Sequence, residues 1–227
     1  MNRDLVLVYG MWRTGTNLLM SIFKKYGYLD LNEFFSLLSD NEEKIAILNS
    51  KLFDILCQDN LNKCTVKLIL YQTNYIDDTN KNMFSKKFLV YRRDIFSSII
   101  SKVLAETRLN WYRSTYQPEQ PKFFGEISKE TLMDYADPYI FMLMNFIKSG
   151  HSKINFDYII NYEDDLIPYV AKNPTDSLPS SNYTITNLQE LRELFDYSFC
   201  AEVKQINEFF DNLRKETNTV EFETLFN

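Results

Sequence analysis

Apolar residues along this chain follow two rhythms. Short apolar runs at residues 5–9 (LVLVY), 64–71 (CTVKLILY), 88–91 (FLVY) and 155–162 (NFDYIINY) predict strands, the first of them unalternating, as in a sheet covered on both faces. Elsewhere apolar side chains recur every three or four positions, which predicts helices. Leu18, Leu19, Ile22, Phe23 and Tyr26 form one such stripe, and Ile45, Leu48, Leu52, Ile55 and Leu56 form another within residues 41–61. Ile95, Ile99 and Val103 form a third, and two long helical patterns cover about 128–149 and 188–209. Gly27 stands at a C-terminal cap position, Asp94 and Ser128 stand at N-cap positions, and Pro138 is expected to kink or split its helix. Residues 109–124 read as a loop or lid, 168–182 as a surface loop, and 217–227 as a fraying tail. Strands alternating with helices predict an α/β fold. The expected form is a three-layer α/β/α sandwich whose mainly parallel sheet has about four or five strands, with residues 5–9 central and right-handed crossovers.

Composition narrows the reading without changing it. The 227 residues, 45% hydrophobic and 15% aromatic, supply core for one domain spanning 1–227. No apolar run approaches the ~20 residues of a membrane span, and MNRD leads straight into a strand, so a soluble, cytoplasmic protein is expected. Cys57, Cys64 and Cys200 are odd in number and form no CxxC pair, which indicates neither a disulfide framework nor a zinc site. A net charge of −6 and a pI near 5.0 argue against a general nucleic-acid binder. The one histidine, His151 in KSGHSK, excludes schemes needing two and reads as a solvated loop residue.

The candidate chemistry begins where the first strand meets the first helix. Gly10 and Gly15 bracket MWRT, so the helix opening near Gly15 or Thr16 turns its unpaired N–H groups and positive dipole end toward a tight loop, which is an anion site. The spacing follows a Walker A loop as far as the second glycine; then Thr16 stands where the phosphate-binding lysine belongs, while Arg13 puts a cation inside the loop. Glu33, beside Phe34 and Phe35 in a helical pattern, is either a partly desolvated general base or a surface glutamate. Lys67 lies inside an apolar strand, where it meets an anion or snorkels to an edge. Arg92 and Arg93 end the third strand, at the sheet edge where ligands collect, and Asp94, Ser98 and Ser101 share one face of the helix that follows. These arginines and serines either grip a phosphate or belong to an amphipathic helix whose arginines pair with nearby acids. Trp111, Tyr112 and Tyr116 are either an acceptor wall or core aromatics.

RTGTNLL resembles the 5′-phosphosulfate loop of the sulfotransferases that use 3′-phosphoadenylyl sulfate (PAPS). The resemblance implies that Arg13, Thr14, Gly15, Thr16 and Asn17 hold the 5′-phosphosulfate. Bacterial sulfotransferases of the trehalose-sulfating (Stf-zero) type carry a similar acid-Phe-Phe segment, whose glutamate is the proposed base, here Glu33. They also have a segment similar to the one carrying Lys67 and Gln72. The family's R…D…S segment for the 3′-phosphate implies Arg93 with Ser101, eight positions apart, or Arg92 with Ser98 in an alternative register. YEDD at 162–165 resembles a segment after a late family strand. The implied reaction moves a sulfuryl group from PAPS to a hydroxyl of a small-molecule or glycan acceptor, releasing adenosine 3′,5′-bisphosphate without a metal. Asn17 stands where the family more often has Ser or Thr, and the glycine-rich C-terminal segment of many cytosolic members is absent. The rival readings are a non-catalytic nucleotide-binding protein of the same fold and a divergent P-loop small-molecule kinase.

Overall fold

The structure, a computed structural model, describes residues 3–32, 34–35, 41–107, 123–149, 154–173, 183–218 and 221–225. In chain order, β1 (Asp4–Gly10) leads into α1 (Thr16–Lys25), β2 (Leu29–Asp30), α2 (Glu42–Leu56) and β3 (Lys63–Ile69). Then come α3 (Asp78–Met83), β4 (Lys86–Tyr91), α4 (Ile95–Thr107), β5 (Phe123–Gly125), α5 (Lys129–Lys148) and β6 (Tyr158–Asn161). Helix α6 (Ile167–Lys172), β7 (Tyr183–Ile185), α7 (Leu188–Lys215) and α8 (Phe222–Leu225) complete the described order. Five strands form one sheet in the order β2-β3-β1-β4-β6, every pair parallel, with β1 at the centre as expected. Strands β5 and β7 form a separate parallel pair.

Strand alternation sorts β1 between two cores. Leu5, Leu7 and Tyr9 pack with side chains of α2, α4, α5 and α7, including Leu52, Ile99, Leu132 and Phe195. Val6 and Val8 pack on the other face with Leu18, Leu19, Ile22 and Phe23 of α1 and Tyr169 of α6. The result is the three-layer α/β/α sandwich, with a five-strand, all-parallel sheet. Burial of each such side chain is worth roughly 1.5–3 kcal/mol, so a one-residue slip of β1, which would exchange the two sets, is strongly opposed. The register places Val8 beside Lys67 on one flank and Phe88 on the other, and the loop after Gly10 leaves the C-terminal sheet edge.

Several expectations are corrected. The helical pattern around Glu33 gives way to β2 and a turn. Leu31 N–H donates to the Thr65 carbonyl and Lys67 N–H to the Asn32 carbonyl, so pairing with β3 overrides local periodicity. Pro138 lies inside one uninterrupted helix, α5; it faces solvent, while Ala136, Tyr139, Ile140 and Leu143 anchor the opposite side. Residues 168–172, expected in a surface loop, belong to α6, whose early Pro168 fits a first helical turn that needs no N–H there. Strand β3, expected to run to residue 71, stops at Ile69, where a 3₁₀ turn at Leu70–Gln72 begins and the Gln72 side chain accepts from Ile69 N–H. A π-helical turn at Tyr162–Leu166 follows β6 directly, and part of the C-terminal tail is helical as α8. Glu33, Trp111, Tyr112, Tyr116 and His151 lie outside the described residues. Among the described residues no helix is long and apolar enough to cross a membrane.

Candidate functional site

The loop between β1 and α1 is held by contacts that leave little room for change. Gly15 has φ +94°, and Arg13, two positions earlier, has φ +64°. Left-handed residues bracketing Thr14 turn successive backbone N–H groups toward one concavity, a geometry suited to anions. A Cβ on Gly10 would stand 2.5 Å from Thr16 Cγ2 and 2.9 Å from the Val90 carbonyl oxygen; one on Gly15 would stand 2.4 Å from the Tyr162 ring. Thr14 Oγ1 donates to the Met11 carbonyl at 2.8 Å, and the buried Tyr139 hydroxyl donates to the Trp12 carbonyl at 2.9 Å. The N-cap of helix α1 is Gly15, among the described residues no side chain caps it, and its first turn holds no acid. Its leading N–H groups have no partner within the helix.

Two cations beside this loop tie it to its neighbours. Arg13 Nε donates to Ser101 Oγ of α4 at 2.8 Å, and Lys67 Nζ donates to Asn17 Oδ1 of α1 at 2.6 Å. Lys67 is 3% exposed, so the strand lysine is buried against the loop rather than snorkelling from an edge. The segment around Glu33 is tied to β3 and the 3₁₀ turn after it: the Asn32 carbonyl accepts from Lys67 N–H, and the Phe35 carbonyl accepts from Gln72 Nε2 at 3.3 Å.

The segment from Arg92 to Ser101 is arranged differently from the expected phosphate grip. Arg93 reaches away from the loop, its guanidinium 2.6 Å from Asp164 and 3.0 Å from Asp211 of α7. Those contacts, the hydrogen bond to Asp211 first, hold its pKa above the ordinary arginine value despite some burial. Arg92 lies over the Tyr162 ring, 4.7 Å from its centroid, and 3.3 Å from Glu163. The Glu163 carboxylate also accepts the backbone N–H groups of Arg93 and Asp94, at 3.1 and 3.4 Å, and Asp94 caps Ser97 N–H at 3.2 Å. Burial pushes the Asp94 carboxyl up, but Arg192 and Ser97 together bring it below the ordinary value. Asp211 is likewise raised by burial and lowered further by Tyr91 and Arg93. The Tyr91 phenol is pushed up to about 12, by burial first and by Asp211 second.

The structure thus joins Ser101 to Arg13 rather than to Arg93. Ser98 is fully buried and has no hydrogen-bond partner of ordinary geometry among the described residues, yet both it and Arg92 stand close enough to Tyr139 to offset slightly the upward push of burial on that phenol.

No protein-family model matches the chain, and no curated protein matches it. Its residues carry the functional argument alone. Among the described residues there is no group of three or more His, Cys, Asp or Glu side chains placed to hold a metal ion.

Sequence reasoning missed Glu163, Asp164, Asp211 and Arg214. The YEDD resemblance drew attention to residues 162–165, but nothing in the linear pattern pairs them with α7, where Arg214 lies 3.0 Å from Asp164 and 2.6 Å from Asp165. Trp12 was also missed. Lys102 lies over its ring at 4.8 Å, and the Tyr71 ring is 5.4 Å away.

Proposed function

We propose that this protein is a PAPS-dependent sulfotransferase of the cytoplasm, moving a sulfuryl group to a hydroxyl of a small-molecule or glycan acceptor. The observation that carries this reading is the 2.8 Å hydrogen bond from Arg13 to Ser101, which links the glycine-bracketed loop to α4, the helix expected to serve the 3′-phosphate. Two monophosphate grips joined in this way suit a nucleotide bearing separate 3′ and 5′ groups. A triphosphate would lack the loop lysine, since position 16 is Thr.

PAPS supplies an activated sulfuryl group, and transfer forms one acceptor O–S bond as the S–O bond to the 5′-phosphate breaks. Arg13 and the N–H groups from Thr14 to Asn17 would neutralise the phosphate left behind, fixed donors costing little reorganisation. Lys67, buried and held by Asn17, would add positive charge on the β3 side. Glu33 would take the acceptor's proton. Arg92 and Ser98 would meet the 3′-phosphate, with Arg93 kept on its acids as a support. No step calls for a metal.

A second reading is favoured by one observation. The carboxylates on Arg92 and Arg93 suit a non-catalytic protein that binds one phosphate group at the loop. Thermal shift separates both readings from a kinase. Adenosine 3′,5′-bisphosphate at a hundred times its Kd should stabilise the protein by about 2.7 kcal/mol, and by more than ATP with magnesium does. Equal or greater stabilisation by the ATP complex would overturn the sulfotransferase reading. Transfer of labelled sulfate from PAPS to any acceptor separates the enzyme from the binder.

A further inference from the structure

Trp12 and Arg13, the central pair of the anion loop, meet consecutive residues of α4. Arg13 Nε donates to Ser101 Oγ at 2.8 Å, and the Lys102 ammonium lies over the Trp12 ring, 4.8 Å from its centroid. Helix α5 adds two tyrosines one turn apart. The Tyr139 hydroxyl donates to the Trp12 carbonyl at 2.9 Å, and the Tyr135 ring centroid stands 4.7 Å from the same Lys102 ammonium.

Lys102 is itself braced. Its ammonium is 2.6 Å from Glu106, one turn further along α4, and its side chain is 14% exposed. The Glu106 carboxylate also lies within hydrogen-bonding reach of the Tyr135 hydroxyl and, ahead of burial, pushes that phenol up to about 12. A cation largely withdrawn from water holds an indole face more strongly than an exposed one does.

The backbone under this contact is the unusual part of the loop. Arg13 has φ +64°, a conformation that residues with a Cβ seldom take and that persists where the surroundings impose it. The Trp12 carbonyl belongs to the peptide that enters Arg13. Tyr139 and Lys102 therefore fix the peptide and the ring on the N-terminal side of the left-handed turn, while Ser101 fixes the guanidinium beyond it.

We propose that Lys102, braced by Glu106, is a positioning residue of the anion site, acting through Trp12 to hold Arg13 and the loop N–H groups in place without touching the ligand. This role rests on the anion site of the proposed function but needs no sulfuryl transfer, so binding alone tests it.

The test is calorimetric titration with adenosine 3′,5′-bisphosphate. Lys102→Met, which keeps an unbranched side chain and removes the charge, should weaken binding about three- to tenfold. Lys102→Arg should stay within about twofold of the wild type, because a guanidinium also stacks on an aromatic face. In a Trp12→Leu background Lys102→Met should change affinity by less than about twofold, whereas a lysine acting directly on the ligand's charge would cost as much with or without the indole. Glu106→Gln separates the two by sign. Loss of the brace should weaken binding about twofold or more, whereas removal of a negative charge near the site would by itself tighten it. The Trp12 indole N–H resonance should move in both Lys102→Met and Glu106→Gln before ligand is added. Unchanged affinity in Lys102→Met, an undiminished loss in the Trp12→Leu background, or tighter binding in Glu106→Gln would overturn the role of Lys102 and leave the anion site standing; no binding by the wild type would overturn both.

Discussion

Helices α1 and α4 both begin at the C-terminal edge of the same parallel sheet, one after central β1 and the other after its neighbour β4, yet their first turns are occupied in opposite ways. Helix α1 has a glycine N-cap, no first-turn acid and, among the described residues, no capping side chain, and the contacts of Arg13 and Lys67 beside it include a serine hydroxyl and an asparagine oxygen. At α4, Asp94 caps Ser97, Glu163 takes the N–H groups of Arg93 and Asp94, and acids stand against both arginines. Both termini carry the same dipole. The difference on view is that α4 receives acids from the chain at its first turn, whereas the first turn of α1 holds no acid of its own. Arg-rich strand ends are thus not interchangeable with anion sites; what matters is whether the fold has already supplied the negative charge.

The largest expected effect is at Gly15. An alanine there must adopt a left-handed conformation, at about 1–2 kcal/mol, and must displace the Tyr162 ring that its Cβ would meet at 2.4 Å. Gly15→Ala should lower stability by roughly 2–4 kcal/mol and the melting temperature by roughly 5–15 °C. An unchanged melting curve would mean that the loop is not held against Tyr162. Next comes Arg13→Ala, which removes a charged donor from the loop; calorimetric titration should show bisphosphate affinity falling about 10–100-fold, with Ser101→Ala losing several-fold less.

Glu163→Gln reverses the sign. Neutralising the internal anion should let an incoming phosphate compete better for Arg92 and the α4 terminus, tightening bisphosphate binding about two- to fivefold. Weaker binding in this variant would show that Glu163 builds the site rather than competes for it.

The smallest effect is in acid. The Asp94 and Asp211 carboxyls sit below their ordinary 3.8 in the folded protein, so each contributes stability that is present above that value and lost as pH falls through the folded pKa. Both are partly exposed, which screens the contribution to at most about 1 kcal/mol each. The stability gap between the wild type and Asp211→Asn should hold constant above about pH 5 and close below about pH 4. A gap that persists at pH 2 would assign the Asp211 effect to packing.

The sheet and its central strand were legible because buried parallel strands must be apolar on both faces, and the β1 loop was legible because glycines are needed where φ is positive or another backbone approaches closely. Lys67 was legible as an anomaly, a charge in an apolar run. Edge strand β2 was not, since two residues carry no period and its pairing depends on β3, far along the chain. The paired acids on Arg93 were not, because Asp211 is 118 positions away and looks like any surface residue of an amphipathic helix.

The most direct test of the contrast between the two termini is amide NMR during titration with adenosine 3′,5′-bisphosphate. The backbone amides of Thr14, Gly15, Thr16 and Asn17 should shift strongly, while those of Arg93 and Asp94, already bonded to Glu163, should stay in place. Shifts confined to Arg93 and Asp94, or no shift in the loop at saturation, would contradict the assignment of the anion site to α1.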